Sequence, residues 1–186
     1  SFFVIGITGR VGVGKSYMLG YLQGLSSFEC IDLDKIGHEV LRNKAVKKNI
    51  METFGKDVMI DDHVCRRRLG DLVFSNKALL SKLNLLVHPY IYKIAKDIIA
   101  VKKRHCLVVG ALIEKIGLRP FCDYMVAVDV EDDCLKKRLK DRKRILDYQQ
   151  SRLDYIQSSD IVIRNDFSDQ FQLKIRDVFK DYLEVI

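Results

Sequence analysis

The sequence predicts a doubly wound α/β fold built on a five-stranded parallel sheet, and three observations carry that expectation. Apolar, β-branched runs without alternation recur along the chain, as strands covered on both faces require. Segments with helical spacing separate them. The first run also passes directly into a glycine-rich turn and a helix.

Taken in order, residues 2–7 (FFVIGI) predict the first strand. A helix starts at Lys15, with Met18, Leu19, Leu22 and Leu25 on its apolar face, and ends at Ser26-Ser27. The second strand, residues 28–31, ends in carboxylates, and right-handed crossover makes it parallel to the first. Further strands are expected at 106–109, 124–128 and 161–163. Between the second and third strands lies a long stretch almost devoid of strand signal, with helical spacing at Val40, Leu41, Ile50 and Phe54, then at Leu69, Leu72 and Val73, then from Leu79 to Val87. His88-Pro89 is expected to break this last pattern, which resumes from Ile91 to Val101. Residues 35–104 therefore read as a helical insertion beside the sheet. The chain reads as one domain, without repeats, linkers or low-complexity segments.

Composition bounds the function. With 186 residues the chain has the length of one compact unit with room for an inserted subdomain, and it buries enough surface to need no disulfide or metal staple. At 48% hydrophobic and 31% charged residues it is neither disordered nor fibrous. A net charge of +7 suits an anionic partner, whether a phosphorylated metabolite, a nucleic acid or a membrane surface. Five cysteines, odd in number and without a CxxC pair, predict reduced, mostly buried thiols. The first apolar run is too short for a signal peptide and no stretch is long enough to span a bilayer, so a soluble, cytoplasmic protein is expected.

Gly9-Arg10-Val11-Gly12-Val13-Gly14-Lys15-Ser16 matches the phosphate-loop pattern GxxxxGK[ST] in full. Its glycines let consecutive N–H groups turn inward around phosphate oxygens, and the following helix adds its positive N-terminus. Gly9, Val11, Gly12, Val13 and Gly14 supply the cradle, with Tyr17 following it. Lys15 reaches the β- and γ-phosphates of ATP, and the Ser16 hydroxyl binds Mg²⁺. The preceding strand and following helix supply the required context.

Asp32 and Asp34 stand at i and i+2 after the second strand, so in an extended chain their side chains point the same way. One then accepts a hydroxyl proton while the other helps hold Mg²⁺, the division of labour phosphoryl transfer needs. The plainer alternative is that one of them caps the helix from Lys35. Residues 136–144 (KKRLKDRKR) are strongly basic, and Arg138 and Arg142, four apart on one expected helix face, suit a lid over the transferring phosphoryl group. A solvated helix face competes with that reading. Nucleic acid is disfavoured because no aromatic residue is interleaved with these charges.

The ordered motifs resemble the dephospho-coenzyme A kinase family. They are Ile7-Thr8-Gly9 into the phosphate loop, Ile31-Asp32-Leu33-Asp34, Arg66-Arg67-Arg68-Leu69 with Leu72-Val73-Phe74, Leu86-Val87-His88-Pro89, Leu112-Ile113-Glu114, the basic helix, and Ile163-Arg164-Asn165. The resemblance covers nearly the whole chain. It implies a P-loop kinase fold that transfers the ATP γ-phosphate to the ribose 3′-hydroxyl of dephospho-coenzyme A, with ATP and dephospho-coenzyme A as small-molecule partners and no nucleic acid or membrane. It also implies Asp34 as base, Asp32 and Ser16 toward Mg²⁺, residues 35–104 as the acceptor insertion, a lid at about 131–157, and Asn165 near the adenine. Thr8, Asp34, Arg66, His88 and Glu114 form the implied acceptor set. Of these, His88 reads more readily as a packed, hydrogen-bonded histidine than as a site residue, and Arg66 and Glu114 read equally as internal ion-pair partners. The chain departs from the family pattern at Arg10, commonly glycine, at Tyr17, commonly threonine, at Cys65, often aspartate, and at Gly110-Ala111-Leu112, where Pro-Leu-Leu is usual. The other classes the motifs allow are a nucleoside monophosphate kinase and a catalytically weak ATP-binding module.

Overall fold

The computed structural model describes residues 1–183, so the last three positions of the expected domain lie outside the described residues. The first elements are β1 (Val4–Thr8), α1 (Lys15–Leu25), β2 (Glu29–Asp32), α2 (Leu33–Val40), α3 (Lys44–Phe54), β3 (Met59–Ile60), β4 (His63–Val64) and α4 (Arg66–Val73). There follow α5 (Lys77–Ala100), β5 (Cys106–Val109), α6 (Ile113–Ile116), β6 (Tyr124–Asp129), α7 (Asp132–Leu139), α8 (Arg152–Gln157), β7 (Ile161–Arg164) and α9 (Gln170–Phe179). The chain divides into two compact units: Leu33–Ala95, and Ser1–Asp32 together with the chain from Lys96 onward.

The second of these units holds the five-stranded sheet, in the order β2-β5-β1-β6-β7. Every pairing is parallel. All five strands predicted from the sequence are present, and the central ones are covered on both faces: every residue of β1 and β5 is buried, whereas the edge strand β7 alternates and leaves Val162 exposed. Ile5 and Ile7 pack with Met18 and Leu22 of α1 and with Phe171, Ile175 and Phe179 of α9. Those three α9 residues recur at i, i+4 and i+8, one helical stripe, and each such buried side chain contributes about 1.5–3 kcal/mol. Phe2 and Phe3, expected in the first strand, lie outside it and are exposed. Parallel pairing brings the C-terminal ends of the strands, at Thr8, Asp32, Val109, Asp129 and Arg164, to one edge, where ligands of such sheets collect.

The unit Leu33–Ala95 contains α2, α3, α4 and most of α5, and it corrects two expectations. The first is that this stretch is almost free of strand. β3 and β4 pair antiparallel as a short ribbon whose two turn residues, Asp61 and Asp62, have φ of 49° and 64°. Both are left-handed, as a two-residue hairpin turn requires. The signal was hidden because an Asp-Asp turn lacks the usual glycine, although aspartate tolerates this conformation. The second is the break at His88-Pro89. α5 instead runs unbroken for 24 residues with Pro89 inside it. Val87, Ile91 and Ala95 bury one continuous stripe. The carbonyl that Pro89 deprives of a partner belongs to Leu85, whose side chain is 77% exposed. That residue lies on the water side of the helix, where solvent can satisfy a carbonyl that lacks its helical donor.

Candidate active site

The loop between β1 and α1 folds as its glycines dictate. Gly9 has φ of 145°, and a Cβ there would stand 2.5 Å from the backbone oxygen of Val128. Gly14 caps α1 at φ 109°, and a Cβ there would meet Asn165 Nδ2 at 2.7 Å. No other residue fits either position. α1 has neither a side-chain cap nor an acidic residue in its first turn, so its leading amides and positive end remain available to an anion. Lys15 Nζ donates to the carbonyls of Gly9 and Arg10, both at 2.8 Å, which holds the ammonium over its own loop. Ser16 and Tyr17 are exposed on the first turn of α1. Val13 is buried in the core, while Val11 and Gly12 are half-buried.

Several residues that the motifs did not mark hold this loop in place. The Val11 N–H donates to Gln149 Oε1 at 2.9 Å, and Gln150 Nε2 donates to Glu114 Oε2 at 3.0 Å. Arg10, 7% exposed, donates to Asp132 Oδ1 at 2.6 Å and to the Val130 carbonyl at 2.7 Å. Its hydrogen bond holds the Asp132 carboxyl below the usual carboxylate range. Asp129, buried at the end of β6, takes a two-pronged pair of bonds from Arg152, at 2.8 and 2.9 Å, and Arg164 stands 3.3 Å away. The Asp129 hydrogen bond raises the Arg152 pKa further. Paired charge explains how a carboxylate survives burial there. Nothing in the sequence distinguishes Gln149 from its neighbours; Arg10 is marked only as a departure from the family pattern.

Asn165, buried after β7, donates through Nδ2 to the Val13 carbonyl at 2.9 Å and accepts from the Phe167 N–H at 2.7 Å. It thereby ties the phosphate loop to the loop before α9. Beside it is a cavity of about 200 Å³ lined by Gly14, Tyr17, Arg138, Asn165, Phe167 and Phe171. The Arg138 guanidinium lies 4.2 Å over the Phe167 ring, and Tyr17 stacks on Phe171 at 5.7 Å. Two flat faces beside a phosphate loop suit a nucleobase.

Arg138 and Arg142 do not share a helix face as expected. α7 stops at Leu139, Lys140 takes φ 53°, and residues Lys140–Tyr148 form a 3₁₀ segment. Like charges crowded along 136–144 disfavour continuing the α-helix, whereas α7 itself is favoured by Asp132 and Asp133 in its first turn and Lys136, Lys137 and Arg138 in its last. Arg138 Nε donates to the Gly12 carbonyl at 3.2 Å, while Arg142 is exposed on the 3₁₀ segment.

The carboxylate pair also differs from expectation. The chain does not stay extended after β2: Asp32 ends the strand and α2 begins at Leu33, so the i, i+2 argument for a shared direction fails. Asp34 is exposed in the first turn of α2, where the helix N-terminus favours a carboxylate. Thr8 is buried at the end of β1. Glu114 is exposed in α6. In the Leu33–Ala95 unit Arg66 opens α4, with Nη1 2.8 Å from both ring nitrogens of His38, and His88 is half-buried in α5.

Among the described residues no cluster of three or more histidine, cysteine or carboxylate groups could hold a metal. A serine hydroxyl and a carboxylate are donor types that Mg²⁺ accepts, and the ion takes few protein oxygens, keeping water and phosphate for the rest; Ser16 is exposed and Asp32 half-buried. The thiols are only partly as expected: Cys106 and Cys122 are buried, Cys30 and Cys65 half-buried, and Cys134 exposed. Burial pushes the Cys106 pKa up to about 11 and that of Cys122 to about 12, so both stay protonated and inert. No helix among the described residues is long and apolar enough to cross a membrane.

A parallel sheet with a glycine cradle, a lysine folded over it, and stacked faces beside it defines a P-loop phosphotransferase. The family model described as dephospho-CoA kinase matches residues 3–170, and the chain belongs to that family. A dephospho-CoA kinase of Fusobacterium nucleatum is 28% identical over 190 residues, which cover 97% of this chain and 95% of the relative. A solved Thermus thermophilus structure superposes with a TM-score of 0.78 at 21% identity, covering 98% of this chain and 99% of the other. The Campylobacter jejuni dephospho-CoA kinase structure gives 0.63 at 22% identity, covering 97% of each chain. Both structural matches share the α/β fold.

Proposed function

We propose that the protein transfers the γ-phosphate of ATP to the ribose 3′-hydroxyl of dephospho-coenzyme A, giving coenzyme A and ADP. The observation that carries this reading is the family match over 3–170, which runs through the phosphate loop and through the whole Leu33–Ala95 unit. In the reaction the bond from the 3′-oxygen to the γ-phosphorus forms as the bond from that phosphorus to the β,γ-bridging oxygen breaks. Asp34 accepts the hydroxyl proton, and in a loose transition state its larger task is to align the oxygen. Lys15 and the amides of 9–14 meet the β- and γ-phosphates, and Tyr17 and Asn165 flank the nucleotide. Arg138 and Arg142, in a lid spanning about 131–157, meet the charge that grows as the phosphoryl group moves. Mg²⁺, held by Ser16 and Asp32, neutralises phosphate charge when bound. Residues 35–104 receive the acceptor, with Arg66, His88, Glu114 and Thr8 as its contacts, and the setting of the reaction is the cytoplasm.

The test is ADP release by purified protein with ATP and Mg²⁺ against a panel of acceptors. Turnover with dephospho-coenzyme A, and none with nucleoside monophosphates, is expected. The reverse preference makes the protein a nucleoside monophosphate kinase, and no turnover with any acceptor makes it a nucleotide-binding module.

A further inference from the structure

Gln149 and Gln150 lie where the 3₁₀ segment Lys140–Tyr148 hands over to α8. Gln149 is extended, with φ −102° and ψ 168°, so its side chain and that of Gln150 leave the backbone on opposite sides. The two reach different loops. The Val11 N–H, in the loop after β1, donates to Gln149 Oε1 at 2.9 Å, while Gln150 Nε2 donates at 3.0 Å to Glu114 Oε2, which follows β5. β1 and β5 are neighbours in the sheet, so the dipeptide bridges two adjacent strand ends. Its own backbone is held from both sides. The Gln149 N–H donates to the Leu146 carbonyl at 3.4 Å, and just beyond Gln150 the Ser151 hydroxyl caps α8 by accepting from the Asp154 N–H at 3.1 Å. Arg152 is fixed on buried Asp129, and the Tyr155 hydroxyl donates to the Ala111 carbonyl at 2.7 Å. Gln149 is therefore presented to the phosphate loop by a firm support.

We propose that Gln149 is a positioning residue for phosphoryl transfer, acting through Lys15. One peptide unit carries both contacts. The N–H that Gln149 holds belongs to Val11, and the carbonyl of the same planar unit belongs to Arg10, which accepts from Lys15 Nζ at 2.8 Å. In a trans peptide these two groups point in opposite directions, so Gln149 on one side and Lys15 on the other hold a single plane between them. Rotating that plane would part the Arg10 carbonyl from the ammonium and the Val11 N–H from Gln149 at once. Gln149 thus fixes the direction of one of the two carbonyls that seat Lys15, the other being that of Gly9. A carboxamide suits the task because its oxygen accepts without bringing negative charge to a loop that admits a polyphosphate. This role rests on the functional reading above only in the choice of acceptor that reports turnover.

The test is a double-mutant cycle on the full chain, read as kcat at saturating ATP, Mg²⁺ and dephospho-coenzyme A. Gln149→Met keeps the length of the side chain but offers the Val11 N–H only a weak acceptor, so kcat should fall about tenfold while KM for dephospho-coenzyme A stays within about twofold. In a Lys15→Ala background the same substitution should cost less than about twofold, because the ammonium it positions is gone. A merely structural role would cost the same with and without Lys15. That result, or an unchanged kcat with Gln149→Met, overturns the proposal. Gln149→Glu restores an oxygen at the same reach and serves also if the methionine variant melts early: kcat should stay within about threefold of wild type while KM for ATP rises with the added charge. A kcat about tenfold down with glutamate, despite its acceptor oxygen, likewise overturns the role. Wild-type protein that does not turn over dephospho-coenzyme A overturns the functional reading alone. The cycle is then read in affinity for a non-hydrolysable ATP analogue, where Gln149→Met should weaken binding about threefold beside Lys15 and not at all without it. Equal losses in the two backgrounds overturn the role of Gln149.

Discussion

The phosphate loop and the cationic face of the Leu33–Ala95 unit both present positive charge, but they are built in opposite ways. Around the loop the charges are committed to protein atoms. Lys15 holds two carbonyls of its own turn, Arg10 is buried on Asp132 and Val130, and Arg138 holds the Gly12 carbonyl. On the other face, His38, Arg42, His63 and Arg66 are exposed around an open cavity. A cradle made of backbone amides works only if its shape is fixed in advance, so charge is used to hold it. The other face keeps its charge near water, where long side chains can adjust.

Removing the central cation of the committed side tests this contrast most severely. Lys15→Ala should lower kcat at least about 10³-fold while the melting temperature stays near that of the wild type, since Lys15 lies at the junction of a surface loop and a helix. Thermal melts beside steady-state rates check both halves. Turnover above about a tenth of wild type would show that the amides alone carry the phosphate.

Next in size is Asp34→Asn, which keeps the shape of the side chain in the first turn of α2 but cannot take a proton. A loss of about 10²-fold in kcat is expected, with ATP affinity unchanged and stability lowered by only a few tenths of a kcal/mol from the helix dipole. If the variant melts early yet turns over normally once folded, Asp34 is a structural residue of α2 and the base lies elsewhere.

A smaller effect separates the two arginines of the lid. Arg138 is pinned to Gly12 and stacked on Phe167, whereas Arg142 is exposed on the 3₁₀ segment. Arg138→Ala should cut kcat about tenfold or more with KM for ATP changed about twofold, because the charge it meets is greatest in the transition state. The opposite pattern, KM alone rising, would make Arg138 a ground-state anchor of the base.

The same contrast explains what the sequence discloses. The loop is contiguous, and each glycine in it answers a local backbone demand, so Gly9-Arg10-Val11-Gly12-Val13-Gly14-Lys15-Ser16 is legible before folding, as are the strands, whose cores write themselves as unbroken apolar runs. The cavity is scattered over residues 38–66, and no spacing in the sequence joins His38 to Arg66 or Arg42 to Lys47. Elsewhere local rules are overruled by their surroundings. Pro89 stays within a helix whose orphaned carbonyl, on Leu85, lies on the exposed side, and Asp61-Asp62 turns without glycine. The extension assumed for Asp32 and Asp34 ends at Leu33. The roles of Gln149 and Arg10 are not written in the sequence, because both are contacts with partners more than a hundred residues away.

The smallest expected effect concerns how firmly the loop is held. Asp132 joins Arg10, a residue of the loop itself, at 2.6 Å, but its side chain is 53% exposed, so solvent screens the pair and its worth at neutral pH is well under about 1 kcal/mol. The sign follows from the direction of the shift. The Arg10 hydrogen bond lowers the Asp132 pKa from the ordinary 3.8, so the folded protein keeps this carboxylate ionised to lower pH than the unfolded chain does. The pair therefore stabilises the fold fully above pH 3.8, and the contribution fades as pH falls through the lowered folded value. Asp132→Asn should melt slightly below wild type at pH 7, and the gap should close as acid protonates the wild-type carboxyl. Melting both proteins at intervals from neutral pH downward reads this directly. A gap that persists undiminished in acid would mean that Asp132 holds the loop by shape and neutral hydrogen bonding, and that the committed charge around the phosphate loop owes less to Arg10 than its geometry implies.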